Sequence, residues 1–524
     1  MVGQCRVRSA TLHGIEAIPV HVEVAVTPGI PGMTIVGMGD TAVQEARERV
    51  KTAIRSSGFS MPPDKIVVNL APGNVRKSGS GFDLPIAVGI LVATGQLDES
   101  ILEEVLYVGE LSLGGEVRDV PGHLAFAILA KECNLALACP HGRDDYIEGF
   151  DLLRIGSLAS LRQDGLEKTV SRGLPRSGRR NSERPDFRDI AGQEAAKRAL
   201  QIATAGEHGI LLCGPPGSGK TMLATRVPSI LPPLSEEERI ETAAIHSVVS
   251  EPIEPILEGM RPFRNPHHSA TTAGMLGGGS PIRPGEVTLA HNGVLFLDEL
   301  AEFKPNVLQG LRQPIESGSV LITRAQSSLK MPASFMLIAA TNPCPCGHFG
   351  DRYKQCTCSA AQISRYQGRV GGPLIDRIRL QIDVKRIMSK EIMGAPEGTS
   401  SQELMEGVLV AREFASWRKA RCECGDKGTS LSGRMGNGKP EISVHIQKGS
   451  SGLIMKTMDD YNVDGDSRKY LAEFVDLESV SGRSLIGILH VSRTIADMAQ
   501  NDIVKFEHIA EAIGYRLSET FGSA

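Results

Sequence analysis

The stretch HGILLCGPPGSGKTML, residues 208–223, restricts the possible folds more than any other part of the chain. An apolar run, Ile210 to Cys213, enters Gly214-Pro215-Pro216-Gly217-Ser218-Gly219-Lys220-Thr221 and continues into a helical pattern. Glycines let a loop wrap so that its backbone N–H groups converge on phosphate oxygens, and the helix start behind it adds partial positive charge. In that arrangement Lys220 reaches the β and γ phosphates of ATP, and the Thr221 hydroxyl suits Mg²⁺. A purely structural glycine turn is the bland alternative; the strand before the loop and the helix after it favour the phosphate reading. Such a unit belongs in a parallel sheet, and from DIAGQEAAKRALQIATAG onward helices and strands do alternate.

Three further segments supply the rest of a nucleotide site. In GVLFLDEL the run Val294–Leu297 delivers Asp298 and Glu299 to a strand end, Asp298 for Mg²⁺ and Glu299 to polarise the attacking water. Alone, such a sequence reads as a strand followed by a helix cap; paired with the phosphate loop it reads as catalytic. A third strand, SFMLIAATN, ends in Asn342, whose amide can orient water against the γ-phosphate. In GPLIDRIRL, Arg377 follows an apolar stretch and an Asp. An isolated Asp-Arg pair is usually a surface ion pair, but in a ring of ATPases an Arg here can reach a neighbour's nucleotide. Arg483, in SVSGRSL, can contact the same phosphates within its own chain.

At 524 residues the chain is too long for one core. Residues 1–165 alternate strand-like runs (HVEVAVT, MTIVGM, KIVVNLA, VLYVGEL) with the helical pattern DTAVQEARERVKTAIRSSG, which predicts an α/β domain. Residues 166–188 are polar, basic and aperiodic, as expected of a linker. Residues 189–385 carry the nucleotide motifs, and residues 386–524 read as an all-helical domain interrupted by a Gly-rich loop, CECGDKGTSLSGRMGNGK. The net charge of −4 gives no global attraction to nucleic acid or anionic membrane, so any such contact needs a local basic patch. The most apolar run, LPIAVGILVATG, is short of the roughly 20 residues a membrane span needs. The N-terminus has no signal-like apolar region, so a cytoplasmic protein with reduced or metal-bound thiols is expected.

These landmarks, in this order and with a helical segment behind them, resemble an AAA+ ATPase. The blocks PGEVTLAHNGVLFLDEL and NPCPCG narrow the resemblance to the magnesium-chelatase-like branch, and nearly the whole chain is similar to the ComM/YifB-type family. That resemblance implies a Lon-protease-like N-terminal α/β domain, an AAA+ parallel-sheet core and an all-helical C-terminal lid. It also implies a homo-oligomeric ring, a hexamer, that uses ATP to move single-stranded or branched DNA, as in branch migration during natural transformation. The resemblance weakens across CECGDKGTSLSGRMGNGKPE. The rival readings are a magnesium-chelatase subunit acting on a porphyrin, an ATP-dependent protease, and a nucleotide switch that binds without hydrolysis.

The protease reading is disfavoured by the residues themselves. Two N-terminal segments, NLAPGNVRKSGSGFDLPIAVGIL and GELSLGGEVRDVPGHLAFAILAKE, resemble those that carry the Ser-Lys dyad of Lon-type proteases. Aligned on Lys77-x-Gly79, the nucleophile position is Gly81; aligned on Gly109-Glu110, the base position is Leu124. Neither side chain can attack a peptide or accept its proton. Ser80 is adjacent but has no base in the matching place.

Two insertions fit a DNA-facing pore: GMLGGGSPIRPGE, with a flexible tip expected at Gly277 to Gly279, and SVLITRAQSSLKMPAS, expected to be a hairpin. Arg283, Arg324 and Lys330 are the candidate phosphate-backbone contacts, with ordinary solvated charge as the alternative. His267 and His268 lack a third metal ligand and read as structural. Finally, Cys344-x-Cys346 and Cys356-x-Cys358 offer four thiolates, enough to close a structural Zn²⁺ site between Asn342 and Arg377; His348 is a spare ligand, and four reduced thiols are the alternative. Cys422 and Cys424 repeat the spacing on the Gly-rich loop and remain unassigned.

Overall fold

Period-two alternation organises the first 170 residues, because successive strand residues face opposite sides of a sheet. The computed structural model describes residues 3–140, 146–162, 167–171, 173–174, 185–324, 327–351, 353–370, 372–387, 398–425, 450–478 and 480–516. They divide into two compact units: residues 1–179 with 234–260 and 278–284, and residues 180–233, 261–277 and 285–524. No helix among the described residues is long and apolar enough to cross a membrane.

The first unit is built on an eight-stranded mixed sheet. Across it run Glu167–Val170, Asp151–Arg154, Ala136–Cys139, Val105–Tyr107, Gly3–His13, Glu16–Thr27, Lys65–Ala71 and Gly32–Val36. Val105, Tyr107, Ala138 and Leu153 feed one apolar cluster, while Leu106, Val108, Leu137 and Leu152 feed another, so both faces are covered. The first cluster contains the helices Thr41–Ser56 and Asp83–Ala93. The apolar run LPIAVGILVA thus becomes a buried helix, and Gly89 lets it approach the sheet: a Cβ there would lie 2.6 Å from Val24 Cγ2.

The second face is covered by His123–Glu132 together with Glu236–Val248 and Glu254–Leu257. The last two lie in sequence between the phosphate loop and the acidic pair, so the chain returns to its first unit in mid-course. The region read as a linker differs too. Glu167–Val170 pairs antiparallel with Asp151–Arg154 as an edge strand, a place where polar side chains are tolerated because only one edge is bonded. Residues 166, 172 and 175–184 lie outside the described residues.

The second unit holds a five-stranded all-parallel sheet in the order Phe263–Arg264, Val294–Leu297, Met336–Thr341, Ile210–Cys213, Leu380–Asp383. Its inner strands are buried on both faces, which is why they read as unbroken apolar runs. The helices Ser401–Gly425, Ser450–Asp460, Gly465–Glu478, Gly482–Met498 and Phe506–Gly514 follow. Leu404, Met458, Leu471, Ile488 and Ile509 from these helices join the cluster that covers one sheet face. The expectation of a loop at Cys422 and Cys424 is corrected: both lie in the last turns of Ser401–Gly425, because the helical pattern before them propagates to Gly425. Their side chains, and residues 426–449, lie outside the described residues.

One buried ion pair orders the first unit. Asp83 is fully buried and accepts from Arg49 Nε at 2.7 Å, Arg49 Nη2 at 3.0 Å and the Leu111 backbone N–H at 3.3 Å. Removing one partner of such a pair strands a charge and costs about 3–5 kcal/mol. Asp83→Ala is therefore expected to lower the unfolding free energy by about that amount, measured by denaturant titration. Simultaneous Arg49→Met should recover part of the loss, since no charge is then left unpaired.

Candidate functional site

The strand Ile210–Cys213 sits between Met336–Thr341 and Leu380–Asp383, neither of which adjoins it in sequence. A parallel sheet opens a crevice at such a switch point, at the carboxyl ends of its strands. Cys213 pairs in register with Thr341 on one side and Asp383 on the other. Gly214 N–H donates to Thr341 O at 3.2 Å and Val384 N–H to Cys213 O at 2.6 Å, so the loop leaves the crevice anchored on both sides. Gly217 and Gly219 have φ of 77° and 90°, the left-handed region that glycine enters at little cost. The helix Lys220–Arg226 starts directly behind them.

The sequence-derived residues converge here. Lys220 Nζ donates to Gly214 O at 2.7 Å, Pro215 O at 3.0 Å and Asn342 Oδ1 at 3.2 Å, tying the phosphate loop to the end of its neighbouring strand. Burial lowers the Lys220 ammonium pKa, against the opposite pull of Cys213 and Asp298. Thr221 Oγ1 donates to Asp298 Oδ2 at 2.8 Å, and the Glu299 backbone N–H to Asp298 Oδ1 at 2.9 Å. Glu299 has φ of 51°, an unfavourable conformation for a side-chain-bearing residue. A hydroxyl beside a carboxylate is a donor set that suits Mg²⁺ with waters completing its shell.

An open pocket of about 280 Å³ is lined by Asn265, Pro266, His267, His268, Asp298 and Glu299. His268 Nδ1 lies 3.5 Å from Glu299 Oε2, and its ring packs on His267 with centroids 4.1 Å apart. Reading His268 as merely structural missed this contact. The segment is held by Arg264, which grips Glu286 through Nε at 2.7 Å and Nη2 at 3.1 Å. The two histidines immediately after strand Phe263–Arg264 were the available signal, once that strand is known to lie beside Val294–Leu297.

Arg377 and Arg483 meet on a carboxylate that sequence reasoning did not single out. Glu316 Oε1 lies 2.9 Å from Arg377 Nε and 3.4 Å from Arg483 Nη2. Ion pairs between residues this far apart in sequence leave no local pattern.

The four thiols Cys344, Cys346, Cys356 and Cys358 gather with all Sγ atoms within 4.8 Å of one another. Cys344–Cys346, Cys346–Cys356 and Cys344–Cys356 Sγ separations are 3.4, 3.6 and 3.7 Å. A tetrahedral zinc with bonds near 2.3 Å spaces its sulfurs by about 3.8 Å, so the cluster fits the ion. Burial opposes charge on Cys346, but the backbone N–H groups of Thr357 and His348 and the neighbouring thiols outweigh it and bring its pKa to about 5. His348, the spare ligand, is instead engaged by Asp351 Oδ2 at 3.2 Å.

The other candidates are dispersed. Ser319–Arg324 and Ser327–Pro332 form the expected hairpin, with Lys330 exposed opposite Leu321; the Arg324 side chain lies outside the described residues. Arg283 is exposed; of the expected glycine tip, Gly277–Gly278 pairs with Arg283–Pro284 as a short strand, because backbone pairing restrains even glycine, while Gly279 lies in the turn between them. In the first unit Leu124 is buried in an apolar cluster, a Cβ on Gly81 would lie 3.2 Å from Val108 Cγ1, and Ser80 Oγ donates to Glu110. Lys77 is fully buried, with its ammonium on Pro72 O.

Three family models match the chain: residues 22–141 a model described as subunit ChlI of Mg-chelatase, 186–392 one described as magnesium chelatase, subunit ChlI, and 398–516 that subunit's C-terminal part. Uncharacterized protein YifB of Escherichia coli is 38% identical over 512 residues, covering 96% of this chain and 95% of YifB. The YifB of Salmonella typhimurium is 39% identical over 523 residues with the same coverage. Competence protein ComM of Haemophilus influenzae is 37% identical over 515 residues, again covering 96% of this chain and 95% of ComM.

The contact between His268 and Glu299 carries an expectation of its own. His268→Ala should lower steady-state ATP turnover by about an order of magnitude, less than the 10²–10⁴ a general base contributes, with ATP affinity nearly unchanged. Turnover equal to wild type would make the contact incidental.

Proposed function

The chain belongs to the ComM/YifB-type family of magnesium-chelatase-like AAA+ ATPases, and we propose that it is an ATP-driven DNA-remodelling motor working as a hexameric ring. The observation that carries the ATPase half is the convergence of Lys220, Thr221, Asp298, Glu299 and Asn342 at the carboxyl ends of three adjacent parallel strands. The loop Gly214–Gly219 wraps the phosphates, and Lys220 turns from its carbonyl partners to the β and γ oxygens. Thr221 and Asp298 would hold Mg²⁺, which would supply charge neutralisation for the phosphates. Glu299, steadied by His268, takes a proton from the attacking water, and Asn342 aligns that water. Arg483 acts within its chain and Arg377 on the neighbour's nucleotide, both released from Glu316 when a phosphate competes for them. The cysteine cluster would hold a structural zinc ion through Cys344, Cys346, Cys356 and Cys358.

The DNA half rests on the similarity to competence protein ComM and on charge placement. A chain of net charge −4 must concentrate cations where a polyanion passes, and Arg283, Arg324 and Lys330 are offered for that role. Six copies around one axis add modest contacts into a track along the strand. The leading alternative is a chelatase subunit, favoured by the description of all three matching family models. A Lon-type peptidase is set aside, since Gly81 and Leu124 offer neither nucleophile nor base.

Lys220→Ala is expected to abolish ATP binding, whereas Glu299→Gln should bind ATP and stall hydrolysis, as read by equilibrium binding and phosphate release. Wild-type turnover in Glu299→Gln would refute the base assignment. Arg377→Ala should bind ATP yet lose hydrolysis by about 10³-fold, and mixing it with Lys220→Ala protein should restore some activity, because an intact Arg then faces an intact pocket. No recovery in a mixture shown to co-assemble would count against action in trans.

Single-stranded or branched DNA is expected to stimulate hydrolysis, with binding that weakens steeply as salt rises, because each phosphate contact releases counterions. Arg324→Ala with Lys330→Ala should lose the stimulation and spare the basal rate. A rate indifferent to every DNA at low salt would sink the motor and promote the chelatase reading.

A further inference from the structure

The segment that leaves the strand Met336–Thr341 touches the phosphate loop at three successive points. Thr341 O accepts from Gly214 N–H, Asn342 Oδ1 from Lys220 Nζ, and Gly347 lies against the ring of Pro216. The third contact belongs to the cysteine knuckle itself, since Gly347 follows Cys346 directly and its N–H donates to Cys344 O at 2.9 Å. A Cβ on Gly347 would lie 2.5 Å from Pro216 Cδ and 2.7 Å from Cγ, and its φ of 81° is left-handed. Space and backbone therefore both require glycine here. Arg386 Nη2 also donates to Pro216 O at 3.2 Å. Pro216 is thus in contact with both the knuckle and the segment after the last strand of the sheet. Among the described residues the knuckle is further bonded by Gln367 Nε2 to Pro343 O at 3.1 Å, the Phe349 N–H to Cys344 Sγ at 3.3 Å, the Cys358 N–H to Cys356 Sγ at 3.4 Å and His348 Nδ1 with Asp351 Oδ2 at 3.2 Å.

We propose that the knuckle is a brace for the phosphate loop, so that a metal ion held by Cys344, Cys346, Cys356 and Cys358 and a nucleotide held by the loop strengthen each other's binding. The inference rests on the nucleotide reading of that loop and adds a regulatory input to it. Four ligand bonds would fix Cys344, Cys346, Cys356 and Cys358 relative to one another and so keep Gly347 against Pro216. Without them the contact of Gly347 with Pro216 must be ordered at the expense of nucleotide binding, and that ordering is subtracted from its affinity. Linkage makes the effect reciprocal: a bound nucleotide must retain the metal to the same degree. Pro216 and Gly347 are positioning residues in this scheme.

The test uses the full chain purified without chelator, with zinc measured by elemental analysis and ATP binding by titration with a non-hydrolysed fluorescent analogue. Cys356→Ser with Cys358→Ser should lose zinc and weaken nucleotide binding by about ten-fold, within the 5–150-fold range of measured couplings. Gly347→Ala should keep zinc and weaken nucleotide binding similarly, and adding Pro216→Ala, which removes the clashing ring atoms, should recover part of the loss. Nucleotide should slow the release of zinc from the wild-type protein to a competing chelator. Thermal unfolding of each variant, with the Lys220→Ala protein as the binding-null control, guards against general misfolding. Wild-type nucleotide affinity in either the Gly347→Ala or the zinc-free protein overturns the brace while leaving the ATPase reading intact. Failure of the wild-type protein to bind nucleotide at all overturns both.

Discussion

The second unit depends on where the strand Ile210–Cys213 is seated. Because it lies between two strands that follow it by more than a hundred residues, the loop at its end opens into a crevice rather than crossing directly to a neighbour. That placement puts Lys220 within 3.2 Å of Asn342 and Thr221 within 2.8 Å of Asp298. Each strand contributes one kind of chemistry: cation and hydroxyl from the first, carboxylates from the next but one, an amide from the strand between. The buried apolar faces of these strands fix their register, and the polar groups gather where the strands end.

Around this centre the contacts are weaker and more exchangeable. Glu316 carries two arginines on one partly exposed carboxylate oxygen, an arrangement that holds both side chains near a position without committing either. The Glu316 carboxylate is itself exposed, although the Arg377 side chain is mostly buried, so solvent or a phosphate can compete at the acid's end of the pair. The same applies to His268 and Glu299, 3.5 Å apart at an open pocket. By contrast Asp83 and Arg49 in the first unit are shielded and doubly bonded, which is the signature of a structural pair. What separates the two is the carboxylate: Asp83 is fully buried and Glu316 is exposed.

The first unit offers no peptidase chemistry at the two positions compared with Lon-type proteases. The segments resembling a peptidase dyad are present, but Leu124 packs into an apolar cluster and Gly81 faces Val108. What remains is a broad sheet with both faces covered, partly by helices contributed from between the nucleotide motifs.

Read by itself, the sequence determined the features that consecutive residues encode. Strand-loop-helix glycine spacing, the acidic pair after an apolar run, the all-helical ending and the pairing of cysteines two apart are local, and each has a physical reason to sit where it does. The hairpin at residues 319–332 was legible for the same cause. Only the tertiary structure could decide which distant groups meet. Glu316 lies about sixty residues from Arg377, His268 about thirty from Glu299, and Gly347 well over a hundred from Pro216, and none of these pairs leaves a periodic trace. The edge strand Glu167–Val170 and the return of residues 236–257 to the first unit were equally hidden, since a polar edge strand and an amphipathic helix do not announce their partners. Local patterns are set by backbone propensity and burial period; long-range meetings are set by how the buried faces stack, and that is a property of the whole chain.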